Sequence, residues 1–154
     1  MYLQIVGDML VVEKDKHMVY SEYDEVIGRK ANSLKDKLLK SDIKQTKPID
    51  RIPYLLEFIE YCICKIYGIP YPLDHPDNKE LEKTPVHKYA TCLVVYLYWK
   101  VTDHSYSIIV EKIGGNKSDI FRKVQTISGE RDEKQLKKIK FLQKKVEEFY
   151  KNIF

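Results

Sequence analysis

The adjacent glycines Gly114 and Gly115 constrain the fold of this 154-residue chain more than any other feature. Apolar residues recur at helical spacing on both sides of the pair: Ile108, Ile109, Val110 and Ile113 before it, and Ile120, Val124 and Ile127 after it. Gly114 predicts the end of a helix, because glycine adopts left-handed backbone conformations at little steric cost. Gly115 adds freedom for a sharp change of direction. The sequence therefore predicts two short helices joined by a tight turn.

Small polar residues stand where the caps of these helices are expected. Ser105 and Ser107 can each accept a backbone hydrogen bond at the start of the first helix, and Asn116 or Ser118 can do so for the second. Residues 105–128 thus have the sequence form of a helix-turn-helix, a unit that places its second helix in the major groove of DNA. An ordinary helical hairpin packed on a core has the same pattern, so both interpretations stay open.

Ten polar side chains in or near this unit are candidates for contact with DNA. Those expected to position phosphate groups, together with lysines of the C-terminal helix, are Lys83, Ser105, Ser107 and Lys112. Those expected at the start and on the outer side of the second helix are Asn116, Lys117, Ser118, Asp119, Arg122 and Lys123. Of these, Asp119 is unfavourable beside DNA unless it accepts a hydrogen bond from a cytosine amino group.

The net charge of +4 is concentrated toward the C-terminus. Residues 132–154 carry seven lysines against four acidic residues, whereas residues 48–101 carry six basic against seven acidic residues. Proteins that bind DNA gain most of their affinity by neutralising phosphates, so an excess at and after the second helix is consistent with DNA binding. The same lysines are also typical of the solvated face of a helix.

The chain from residue 48 onward has helical apolar spacing throughout. A first helix opens near Pro48 or Asp50 and ends at Gly68, and the proline-rich segment 69–85 predicts a loop. Thr84 followed by proline predicts the start of a central helix that is apolar on most faces. A long final helix is expected over the last 24 residues, from Arg131 to Phe154.

The first 47 residues have a different composition. Three short β-branched and aromatic runs are separated by polar turns, at residues 2–6, 9–13 and 17–23. They predict a small β-hairpin or meander over residues 1–27. A short basic helix is expected at 33–40 and a polar linker at 41–47. The predicted fold is therefore mainly α, with a small β-rich appendage in residues 1–47 and an all-α domain in residues 48–154.

Several kinds of site are not indicated by the sequence. The three cysteines, Cys62, Cys64 and Cys92, lack the spacing of a zinc site and predict free buried thiols. No metal, cofactor or catalytic site is predicted, because the carboxylate pairs have no histidine or glycine loop beside them. No apolar run approaches the roughly 20 residues that cross a bilayer, and no leader pattern is present. We therefore expect a cytoplasmic protein without enzymatic activity or membrane contact.

Four features of the C-terminal two-thirds form a more specific pattern. They are the segment 55–70 with its Lys-Ile-Tyr-Gly-Ile exit, the pair Tyr96-Leu97, the string Thr102-Asp103-His104-Ser105, and the glycine pair Gly114-Gly115. With them, the chain from about residue 49 onward resembles the C-terminal DNA-binding domain of DnaA-type replication initiators. That helical domain is related in fold to the Trp repressor.

The resemblance implies roles for five of the candidate residues. Lys117, Ser118 and Asp119 stand where the family contacts bases, in a string one residue shorter than the family's own. Ser107 would donate to a phosphate, and Lys83 lies near the position of a minor-groove arginine. The Gly-x-x-x-x-Gly-Lys-Ser/Thr phosphate loop of the initiators' ATPase is absent from the sequence. The resemblance implies binding of double-stranded DNA, in replication or transcription control, without ATPase activity.

A second interpretation belongs to another functional class. The chain could keep this fold as a non-catalytic interaction or assembly domain that has lost contact with DNA. Its contact surfaces would be residues 1–27 and the C-terminal helix, with a second copy or another protein as the partner. The modest charge of the motif and Asp119 favour this interpretation, whereas the string at 102–105 and the glycine pair favour DNA binding.

Overall fold

The structure is a computed structural model that describes residues 12–44 and 49–154, with side chains from Glu22 onward. The helices are α1 (Val12–Lys44), α2 (Ile52–Tyr67), α3 (Pro85–Thr102), α4 (Tyr106–Ile113), α5 (Lys117–Ser128) and α6 (Glu133–Ile153). Two single-turn 3-10 helices, Pro76–Asn78 and Leu81–Lys83, lie between α2 and α3. The described ranges contain no β-strand, and the prediction of a mainly α fold is confirmed.

The prediction of a β-rich N-terminal segment is wrong where the structure describes it. Helix α1 includes the run at 17–23, expected to be a strand, and residues 41–44, expected to be linker. The buried residues Ile27, Leu34 and Leu38 recur at spacings of seven and four, which gives α1 one apolar stripe in the common core. Burial of that stripe outweighs the local β preference of branched and aromatic residues. The runs at 2–6 and most of 9–13 lie outside the described residues.

Helix α3 lies at the centre of the fold and contacts α2, α5 and α6. Its Ala90, Leu93, Leu97 and Tyr98 are completely buried, which agrees with the largely apolar sequence of this helix. Helices α2 and α6 also contact each other, and the rings of Phe58 and Phe149 stack there at a centroid distance of 4.2 Å and an angle of 14°. This core gives α4 and α5 a fixed platform.

Helix α1 joins the same core through apolar and charged contacts. The Lys30 Nζ donates to a Glu57 carboxylate oxygen at 2.8 Å and lies 5.1 Å and 5.3 Å from the ring centroids of Tyr61 and Tyr71. Helix α1 also contacts α6, where Lys145 Nζ lies 2.5 Å from the Asp24 carboxylate oxygen Oδ1. These contacts hold α1 against α2 and α6.

The connection from α2 to α3 follows the predicted loop. Gly68 ends α2 in the left-handed conformation, with φ of 67°. The side-chain amide of Asn78 is completely buried and donates to the carbonyl oxygens of Pro70, Pro72 and Leu73 at 2.8–3.1 Å. Thr84 caps α3, where its side chain accepts from the His87 backbone N–H. The predicted start of the central helix is confirmed.

Candidate nucleic-acid interface

The string from Thr102 to Ser105 forms the corner between α3 and α4. Thr102 Oγ1 donates to the Tyr98 carbonyl at 2.7 Å and accepts from the His104 backbone N–H at 3.2 Å. Asp103 ends α3 in the left-handed conformation, and Ser105 caps α4 by accepting from the backbone N–H of residue 108. The buried Tyr98 hydroxyl also lies 2.8 Å from His104 Nδ1. These side chains fix the direction in which α4 leaves α3.

The three residues 114–116 connect α4 to α5. Gly114 has φ of 100° and ψ of −174°, and Gly115 has φ of 82°. Residues with side chains rarely adopt either conformation, so both glycines are required by the turn. Asn116 then caps α5, because its side-chain oxygen accepts from the Asp119 backbone N–H at 2.9 Å. The predicted turn and both predicted helix starts are confirmed.

Helix α5 buries one stripe and exposes the opposite one. The buried residues are Ile120, Val124 and Ile127, and α3 is the main element against which α5 packs. Because successive residues are about 100° apart around a helix, the side chains that point away from this stripe follow from its position. We give the name outer row to four exposed residues: Ser118, Arg122 and Gln125, which point away from the stripe, and Phe121, which lies about 90° from it on the flank that meets Tyr106.

The ten predicted candidates take different positions around this row. Those exposed are Lys83, Ser105, Ser107, Lys112, Asn116, Lys117, Ser118 and Arg122, while Asp119 and Lys123 are partly buried. Only two of the ten, Ser118 and Arg122, belong to the outer row. Lys117 lies beside them at the first position of α5. The hydroxyls of Ser105 and Ser107 mark the start of α4, and Lys83 lies just before α3 on the second 3-10 helix.

Two of the candidate cations are paired with carboxylates. Lys112 Nζ donates to Asp50 Oδ2 at 2.8 Å, and this hydrogen bond raises the pKa of Lys112 and lowers that of Asp50. Arg122 donates to the Asp119 carboxylate one helical turn earlier. A phosphate that bound either cation would therefore compete with a neighbouring carboxylate.

Lys123 lies on the side of α5 that faces α3 and the long loop. It lines an open cavity together with Leu73, His87 and Cys92. The His87 ring Nε2 is 2.9 Å from the Leu73 carbonyl oxygen. Lys123 therefore lies outside the outer row and next to the buried stripe, as expected for a residue three positions after Ile120 and four before Ile127.

Phe121 and Gln125 belong to the outer row but are missing from the sequence-based candidates. Phe121 is 48% exposed, and its ring meets Tyr106 edge to face at a centroid distance of 6.2 Å. The Tyr106 ring in turn lies next to the Trp99 ring, at a centroid distance of 6.5 Å, and the Trp99 ring lies next to the Tyr96 ring, at a centroid distance of 6.0 Å. A helical wheel drawn on the apolar stripe of α5 would have identified Gln125, whereas Phe121 lies on the flank of the stripe and could equally have been assigned to the core.

The cysteines are free thiols, with Cys62 and Cys64 buried and Cys92 partly buried. Burial raises the pKa of Cys64 to about 12. Within the described residues, no three histidine, cysteine or acidic side chains are grouped so that they could hold a metal ion. None of the described helices combines the length and apolar composition needed to cross a membrane. Comparisons with protein families, curated proteins and solved structures give no match to this chain.

Proposed function

We propose that the protein binds duplex DNA with α4 and α5 acting as a helix-turn-helix and α5 entering the major groove. The observation that carries this proposal is the outer row of α5, which is exposed along the whole helix while the opposite stripe is buried. The major groove is about 12 Å wide and admits an α-helix. Helix α5 could therefore enter it without any rearrangement of the core.

The charges and hydrogen-bonding groups around α5 suit this role. Residues 105–128 carry four basic and two acidic side chains. Lys117 lies at the exposed N-terminus of α5, where the helix dipole also favours an anion. Ser107 at the start of α4 offers a hydroxyl to the phosphate backbone. Ser118 and Gln125 offer hydrogen-bonding groups to the base edges.

The order of helices α2 to α6 also supports the resemblance to the DNA-binding domains of DnaA-type initiators. The two features that carry this resemblance most specifically are the α3–α4 corner and the glycine turn. Lys83 and Lys112 would add phosphate contacts on either side of α5. The protein would then act in replication or transcription control as a DNA-binding domain without ATPase activity.

The experiment measures binding to random-sequence duplex DNA by fluorescence anisotropy at a series of salt concentrations. We expect the logarithm of the affinity to fall linearly with the logarithm of the salt concentration. The double variant K117A/R122A should reduce that slope by about one, chiefly through Lys117, because Arg122 already has the Asp119 carboxylate as its counterion. The matched control K37A/K40A removes the same charge from exposed positions of α1 and should leave the slope nearly unchanged.

Two outcomes would contradict the proposal. Absence of binding at about 50 mM salt would exclude duplex DNA as the ligand, because non-specific binding is strongest at low salt. Equal losses in the two double variants would show that net charge, and not α5, determines the affinity.

A second candidate function is a non-catalytic interaction or assembly domain. The carboxylates of Asp50 and Asp119 neutralise two cations of the α4–α5 unit, and the same unit exposes Ile108, Ile113 and Phe121. Apolar exposure beside neutralised charge is better suited to a protein surface than to phosphates. Light scattering over a concentration series tests for self-association. A constant monomer mass together with salt-dependent DNA binding would leave only the first candidate.

A further inference from the structure

We infer that the outer row of α5 selects A·T base pairs, with Phe121 packed against a thymine methyl group and Gln125 bonded to the adenine edge. This inference rests on the proposed binding of duplex DNA and adds a base preference to it. The preference depends on the two uncharged residues that follow Ser118 in the row.

Phe121 is a large apolar side chain in an otherwise polar row. Its ring is 48% exposed, and the edge-to-face contact with Tyr106 holds it in place. Tyr106 is partly buried and in turn contacts Trp99, so the support reaches back to α3. In the major groove the apolar group that a base presents is the 5-methyl of thymine. A phenyl ring held at this position therefore favours thymine over the other bases.

Gln125 lies one helical turn beyond Phe121 on the same face and is exposed. Side chains four residues apart on a helix are roughly 5–6 Å from each other at Cβ. A glutamine amide can donate to N7 and accept from the 6-amino group of adenine, which makes a two-bond contact. Phe121 and Gln125 can therefore reach the two partners of one A·T pair or of adjacent pairs.

Arg122 would be expected to favour guanine, which accepts two hydrogen bonds from arginine. In this structure its guanidinium is paired with the Asp119 carboxylate, on the flank of α5 away from Phe121. A guanine contact would first have to break that pair. The neutral residues Phe121 and Gln125 carry no such competing partner charge, so they determine the preference.

The test begins with duplexes that the wild-type protein enriches from a random-sequence pool. Each enriched duplex is then resynthesised with uracil in place of thymine, which removes only the 5-methyl group. Loss of one buried methyl contact should weaken binding about fourfold at the contacted position. The F121A variant should bind the thymine and uracil duplexes equally. Replacing adenine by 7-deazaadenine should weaken the wild type but not Q125A.

The possible failures are distinguishable. If the wild type binds no random-sequence duplex, the proposed function fails. If it binds with the expected salt dependence but does not distinguish uracil from thymine, only the base preference is wrong. If F121A weakens both duplexes and retains the thymine preference, Phe121 only supports α4 and the inference is overturned. The comparison of thymine with uracil on the wild type needs no variant, so it stands even if F121A folds poorly.

Discussion

Replacing Gly114 with alanine should destabilise the fold through the backbone alone. With φ of 100° and ψ of −174°, Gly114 lies in a region that is essentially restricted to glycine. A Cβ built at this position meets no atom within 4 Å, so crowding contributes nothing to the cost. The strain is of order 1–3 kcal/mol, and alanine returns about 0.4–1 kcal/mol by restricting the unfolded chain. We expect a net loss of about 1–2 kcal/mol.

Gly28 provides a matched control for this substitution. It lies inside α1, and a Cβ added there also meets nothing within 4 Å. Because glycine in a helix interior is less favourable than alanine by roughly 0.5–1 kcal/mol, G28A should stabilise the protein by that amount. The same substitution at two uncrowded positions should therefore change the free energy of unfolding in opposite directions, because the backbone conformations of the two glycines differ.

Urea denaturation measures the change in unfolding free energy and thermal unfolding measures the change in Tm, both monitored by far-ultraviolet circular dichroism. For a chain of this size, a change of 1 kcal/mol corresponds to about 2–4 °C in Tm. G114A should therefore lower Tm by about 2–8 °C. If G114A were as stable as G28A, the glycine turn would not be strained, and the fixed geometry between α4 and α5 would lose its physical basis. G114A should also weaken DNA binding under conditions where it remains folded.

Three further predictions concern charge and core packing. Lys112 lowers the pKa of Asp50 below its ordinary value of 3.8, so this carboxylate stabilises the fold above that value and loses its contribution as the pH falls through the lowered pKa. The difference in unfolding free energy between wild type and D50N should thus be present at neutral pH and vanish in acid; a difference that is constant with pH would contradict it. D119N should free Arg122 and strengthen binding to random duplex DNA, whereas weaker binding would indicate that the carboxylate contacts a base. Phe149→Ala should cost about 3–5 kcal/mol in denaturant titrations, and a cost below about 1 kcal/mol would show that its stack contributes little.

The parts of the fold that could be predicted from the sequence are those with local causes. Asn116, Thr84 and the glycine pair determine helix ends through hydrogen bonds and backbone preferences within a few residues. The helical state of α1 has a distant cause, since Ile27, Leu34 and Leu38 are buried against helices that begin after residue 50. Local preference favoured strands up to residue 27 and a helix only at 33–40, whereas tertiary packing produces one helix over both segments.

The contacts of the candidate site also divide into those with local causes and those that depend on the fold. The Asp119–Arg122 pair lies within one helical turn, so its spacing alone could have indicated it. The Lys112–Asp50 pair joins residues 62 positions apart, and only the fold brings them together. Phe121 was missed because an apolar residue near an apolar stripe is usually assigned to the core, and its exposure depends on the rotation of α5 against α3.

These pairs also change what the charge of the α4–α5 unit means. A cation bound to an intramolecular carboxylate already has its counterion, so binding a phosphate there exchanges one anion for another and releases fewer ions from solution. The salt dependence of DNA binding should therefore reflect the unpaired cations near α5, chiefly Lys117, more than the total number of basic residues. A unit of this kind obtains less affinity from phosphates than its sequence suggests. In the proposed complex, its neutral groups Phe121 and Gln125 would then account for a larger share of the binding and of the choice among bases.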